Sequence, residues 1–225
     1  MNRGTAFITA AVLTIVTVAP ATAMGYRFDP ADPRVVYMTG MIGNQEAARF
    51  EAIMKEHPAT SIIVITSIGG FTQQAFMIAR DIANGAFTVA VEGNCGSACV
   101  MILAAGETKF VVNGAKIGVH RAIDGSVNAE TDDTRRDTQI MANLLAAHGM
   151  PESAKAEMLA TPPNEIYNLT DEELAEWNIK PLRIASIQAA AGILPQSVVG
   201  AAAGQGGQGV SMPGQHFNNQ PERTR

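Results

Sequence analysis

The sequence predicts an α/β fold built on a largely parallel sheet, and three observations carry that expectation. Ser61-Ile62-Ile63-Val64-Ile65-Thr66 is a β-branched run without polar alternation, the pattern of a parallel strand covered on both faces. Strand-like and helix-like stretches alternate from Val35 onward, as in repeated strand–helix units. Glycines mark two strand-to-helix turns, Gly69-Gly70 and Gly93/Gly96. An open sheet of this kind builds its site where neighbouring strands end.

The elements follow in order. Arg3 precedes an uncharged apolar run from Thr5 to Val18, and Ala21-Thr22-Ala23 supplies a small-residue site. This is the three-part form of a secretory signal peptide, cleaved after Ala23. The run is short for a membrane span, so a membrane partner is expected only if the segment stays uncleaved. Residues 24–34 form an extended leader containing Asp29-Pro30-Ala31-Asp32-Pro33. Val35 to Met38 reads as a strand, broken by Gly40 and continuing to Ile42. Gln45 to His57 places Ala48, Phe50, Ile53 and Met54 on one helical face, and Pro58 closes it.

After the Ser61–Thr66 strand, a helix runs from Phe71 to Ala83 and ends at Asn84-Gly85. Phe87 to Val91 is the next strand. Gly93-Asn94-Cys95-Gly96-Ser97-Ala98-Cys99 then turns the chain into the apolar run Val100–Ala105, a buried helix. Lys109–Val112 and Lys116–His120 are short strands separated by an Asn113-Gly114 turn signal. An acidic segment from Asp124 to Asp133 leads to helices over Thr134–His148 and Glu152–Leu159. Thr170-Asp171-Glu172-Glu173 is a near capping box opening a helix through Trp177. Leu182 to Ala191 is expected as a last helix. The domain spans 35–195, and 196–225 is a Gly- and Gln-rich tail expected to be disordered.

Composition narrows the function classes. Removing Arg3 with the signal leaves 15 of 16 basic residues against 21 acidic ones, a formal charge of −6. An acidic chain without basic clusters argues against a nucleic-acid partner. About 200 mature residues suit one domain with a sizeable core. Two cysteines cannot form a disulfide framework.

The chemistry centres on Ser97. A serine between a glycine turn and a buried helix presents its hydroxyl beside free backbone N–H groups, where a developing anion is favoured. An N-cap serine is the alternative reading. The histidine best placed to act as its base is His120, at the end of a strand whose face it shares with Lys116 and Gly118. A structural histidine is the alternative there.

Four motifs occur in one order: Thr39-Gly40, Ser67-Ile68-Gly69-Gly70, Gly93 through Ser97, and Val119-His120. In that order they resemble the proteolytic subunit of Clp protease, of the superfamily that includes signal peptide peptidase A and the crotonases. The resemblance covers roughly Val35 to Ile179. It implies a ClpP/crotonase-like fold of repeated ββα units with a largely parallel sheet and surrounding helices. It implies Ser97 as nucleophile, His120 as general base, and the N–H groups of Gly70 and Ala98 as oxyanion hole. A homo-oligomer is implied by the family alone.

The chain departs from the family pattern at the third member. Counting back from Leu169-Thr170 puts Ile166 where the family has its aspartate, and Asn164 and Glu165 are the nearby candidates. The superfamily's serine–lysine alternative would use Lys155 or Lys116, both read more simply as surface lysines.

Cys95 and Cys99 flank Ser97 and exclude a Gly-x-Ser-x-Gly elbow. A helix-like turn would bring them within disulfide range; two buried thiols are the other reading. No cofactor or metal is expected.

The sequence therefore points to an exported, periplasmic serine peptidase acting on peptide or protein substrates. An attenuated peptide-binding or scaffold protein is the second reading, and a crotonase-like acyl-CoA enzyme a distant third.

Overall fold

The strands of an eight-stranded sheet run β1-β2-β3-β4-β5-β8, with β6 and β7 branching from β4. The structure, a computed structural model, describes residues 23–182. The expected signal segment up to Thr22, the tail and all but the first residue of the expected last helix lie outside the described residues. The strands are β1 (Gly25–Phe28), β2 (Val35–Thr39), β3 (Ile62–Ser67), β4 (Thr88–Gly96), β5 (Thr108–Val112), β6 (Lys116–Val119), β7 (Tyr167–Asn168) and β8 (Ile179–Leu182). The helices are α1 (Glu46–Glu56), α2 (Thr72–Gly85), α3 (Cys99–Ala104), α4 (Asp132–Ala147), α5 (Glu152–Ala160) and α6 (Asp171–Glu176).

The pairs β2–β3, β3–β4, β4–β5 and β5–β8 are parallel, as is β4–β6. Among the described residues, only the strand pairs β1 on β2 and β7 on β6 run antiparallel. The apolar run in β3 is buried on both faces, as its lack of alternation requires. Ile63 and Ile65 join Val36, Met38 and the helices in the main core, while Ile62 and Val64 join Val35 and Tyr37 in a second cluster across the sheet. All six residues of α3 are buried, which explains its lack of charge.

Four expectations are corrected. The leader contains β1, which pairs along the sheet edge. Helix α2 continues through Gly85, and Ala86 takes the left-handed cap at φ 53°. Leu182 ends strand β8 instead of opening a helix.

The fourth correction shapes the site. Strand β4 does not stop at Val91 but runs on to Gly96. Its register against β3 slips between Ile65 and Ser67, so that Ile65 faces Val91 while Ser67 faces Cys95. The slip bends β4 away from β5, and Asn94–Gly96 pair instead with Lys116–Gly118 of β6. That change of partner carries the Ser97 turn and the His120 strand end to the same sheet extension.

Candidate active site

Ser97 follows the last residue of β4 and has φ 55°, in the left-handed region. A residue with a Cβ holds that conformation at a cost of roughly 1–3 kcal/mol, so its surroundings must impose it. Three constraints do so. The Ser97 N–H donates to the Gly118 carbonyl at 2.9 Å, tying the turn to β6. A disulfide joins Cys95 to Cys99 across the turn, with Cα atoms 5.3 Å apart. Helix α3 starts immediately beyond, inside the core.

The Gly69-Gly70 turn packs directly on this elbow. Gly69 has φ 100°, and a Cβ there would lie 2.7 Å from Ser97 Cβ and 3.0 Å from the Ala98 nitrogen. Only glycine allows that approach. Gly70, at φ 141°, is pressed against Ile42, whose N–H donates to the Gly69 carbonyl at 2.9 Å. The Ile42 carbonyl in turn accepts from the Phe71 N–H at 3.0 Å. Among the described residues, the Gly70 and Ala98 N–H groups have no hydrogen-bond partner within the fold. The Ser97 side chain is half-buried and its hydroxyl makes no hydrogen bond to a described residue.

His120 is half-buried just past the end of β6. Burial pushes its pKa below the ordinary histidine value, opposed by a hydrogen bond to the Arg121 carbonyl. That bond joins ring Nδ1 to the Arg121 oxygen at 2.8 Å. A carbonyl can only accept, so Nδ1 carries the proton and Nε2 is left bare.

The expected third member is corrected here. Asn164 and Glu165 are exposed and neither hydrogen-bonds His120. The Glu165 N–H closes a turn onto the Pro162 carbonyl at 3.1 Å, which carries both residues outward. Ile166 lies over the glycines of β4 and β6, its Cδ1 3.2 Å from where a Cβ of Gly96 would stand and closer still to that of Gly118. Lys155 pairs with Glu152 at 2.9 Å, and Lys116 is exposed. Sequence reasoning missed the Arg121 carbonyl, and no side-chain pattern announces a main-chain acceptor.

A groove of about 280 Å³ opens beside the elbow, walled by Ile68 and Ile166, floored by Gly96 and Gly118, with Lys116 and Asn168 at its polar side. Ile68, Phe71 and Ile166 are 68, 58 and 51 % exposed, an apolar surface around a polar centre. A larger hollow of about 650 Å³ lies on α1 and α2 among Arg49, Gln74 and Arg80, and none of these site residues lines it.

No family model matches the chain, and no curated protein does. Solved structures do. The chain is similar to ClpP1 from Listeria monocytogenes, with a TM-score of 0.54 at 17 % identity, over 68 % of this chain and 92 % of that one. It is equally similar to a point mutant of ClpP1 from the same organism, with a TM-score of 0.55 at 18 % identity and the same coverage. The chain has the ClpP-like fold.

Proposed function

We propose that this protein is an exported serine peptidase that cleaves peptide bonds by acyl transfer through Ser97. The observation that carries the reading is the elbow: a serine held at positive φ, packed on Gly69, with the Gly70 and Ala98 N–H groups unengaged beside it. The ClpP-like fold supports the same reaction class.

In this reading Ser97 Oγ attacks the scissile carbonyl and His120 Nε2 takes its proton. The tetrahedral oxyanion is met by the N–H groups of Gly70 and Ala98. One such donor is typically worth about 10²–10³ in rate. The imidazolium then gives its proton to the departing amine, and water activated by the neutral ring releases the acyl group. The Ser97 hydroxyl makes no hydrogen bond to a described residue, so in this reading the serine–histidine bond forms when substrate is bound. An extended peptide lies against the apolar surface of Ile68, Phe71 and Ile166. The apolar N-terminal run and small-residue site support export, and the Cys95–Cys99 bond fits an oxidising compartment such as the periplasm. The family resemblance supports a homo-oligomer, which sedimentation would measure.

A fluorophosphonate probe should label the mature protein, and Ser97→Ala should abolish labelling. A folded wild-type protein that is never labelled overturns the reading. Mature protein recovered from the periplasm should begin at Met24. The second reading, an attenuated peptide-binding or scaffold protein, is favoured by the absence of a carboxylate on His120 among the described residues. Peptide binding unchanged by Ser97→Ala, without turnover of unfolded substrates, would support it.

A further inference from the structure

We infer that Arg121 is the positioning residue of this site, its main-chain carbonyl orienting His120 and its own side chain holding that carbonyl in place. The inference rests on the acyl-transfer reading for its catalytic meaning, while its geometry stands on separate contacts.

Arg121 is fixed from several directions. Its N–H donates to the Thr161 carbonyl at 3.1 Å. Its guanidinium Nε donates to Glu130 at 2.8 Å, and one terminal nitrogen reaches the carbonyls of Leu159 and Ala160 at 3.2 and 3.4 Å. Those carbonyls lie at the C-terminal end of α5, where the last acceptors lack helical partners and a cation is favoured. The next residue is tied as well, since the Ala122 N–H donates to Thr138 Oγ1 at 2.9 Å, on α4. The peptide bearing the Arg121 carbonyl is therefore held on both sides, and the guanidinium charge is spent on α5 and Glu130 instead of the ring.

The consequence is a defined tautomer without a carboxylate. The carbonyl accepts from Nδ1–H, so Nε2 stays free to take a proton, which is the orienting half of what an acid does in a catalytic triad. It lacks the other half, a full negative charge facing the imidazolium. Long side chains on a loop thus do work that the sequence pattern assigns to an acid at Ile166.

The test is the tautomer of His120, read by long-range ¹H–¹⁵N correlations on histidine-labelled full-length protein, together with the rate of fluorophosphonate labelling. Wild type should show protonated Nδ1. Arg121→Ala should shift the ring toward the Nε2–H form and slow labelling by about 10²-fold, the cost of a small misplacement. Arg121→Lys keeps the charge but not the fork and should fall between. Should Arg121→Ala not fold, Glu130→Ala removes one strut of a partly exposed pair and should slow labelling by about two- to fivefold.

An Nε2–H ring in the wild type, or a tautomer and rate unchanged in Arg121→Ala, overturns the inference. If Arg121→Ala cannot be prepared, a tautomer and rate unchanged in Glu130→Ala does so too. A wild type that is never labelled, yet loses its Nδ1–H tautomer in Arg121→Ala, overturns the peptidase reading and upholds the positioning.

Discussion

The two halves of the site are held by different kinds of force. The Ser97 half is built into the core: a strand end, two glycines at van der Waals limit, a disulfide and a fully buried helix. The His120 half is built on the rim, where a half-buried ring leans on a carbonyl that a single arginine and one threonine tie to α4, α5 and Glu130. Core packing has no softer alternative arrangement, because close-packed atoms cannot move without strain. Polar struts at a half-exposed rim exchange with water for little cost. Ser97 and the Gly70 and Ala98 N–H groups, the proposed nucleophile and oxyanion donors, should therefore stay in place under perturbations that displace His120.

The largest expected break removes the reaction itself. Ser97→Ala should cost about 10⁶ in turnover, by analogy with a serine protease stripped of its nucleophile, with melting temperature nearly unchanged, since alanine keeps the Cβ that makes the positive φ costly. A residual rate above that level would move the nucleophile elsewhere.

Gly69→Ala strikes the core half. Its methyl would stand 2.7 Å from Ser97 Cβ in a φ of 100°, so both packing and backbone resist it. The variant should lose roughly 1–3 kcal/mol of stability in denaturant titrations, with labelling falling in step as the elbow shifts. Full labelling at wild-type stability would show that the turn does not brace Ser97.

Replacing both Cys95 and Cys99 by alanine tests the same half more gently. The bridge closes a loop of only a few residues, so its loss should cost about 2 kcal/mol or less. Because glycine packing and α3 remain, labelling should slow less than in Gly69→Ala. A larger loss than that would make the disulfide, and not the glycines, the main brace.

The smallest effect is a pH profile that reports on the rim half. Burial lowers the His120 pKa, so the ring stays neutral, and able to accept a proton, to lower pH than a free histidine. Labelling should rise with pH and reach half-maximum below 6.5, histidine's ordinary value. A midpoint above 6.5 would reveal a negative charge facing the ring, which the carbonyl arrangement does not contain.

Much of the fold was legible because its signals are local. The unbroken apolar run of β3, the chargeless residues of α3 and the Thr170–Glu173 box each state their environment within a few residues. The box is complete in the structure, Thr170 accepting from the Glu173 N–H at 3.2 Å while Glu173 accepts from the Thr170 N–H at 2.9 Å. The glycines of the Ser67–Gly70 turn were legible for the same reason, since a backbone conformation selects them directly. Other features leave no local mark. β7 is two residues long, β8 contains Pro181, and the extension of β4 to Gly96 depends on a register slip against β3 and a new partner in β6.

The sequence by itself determined the alternating layers and the glycine turns, and it singled out Ser97 and His120 as candidates. Side-chain type and spacing encode those choices, because periodicity, positive φ and nucleophilic chemistry all belong to particular residues. Tertiary structure alone decided what faces His120. An acceptor carbonyl exists at every residue, so nothing in the letters distinguishes Arg121's from its neighbours'. Only the folding of α4, α5 and Glu130 around one arginine brings that oxygen to the ring.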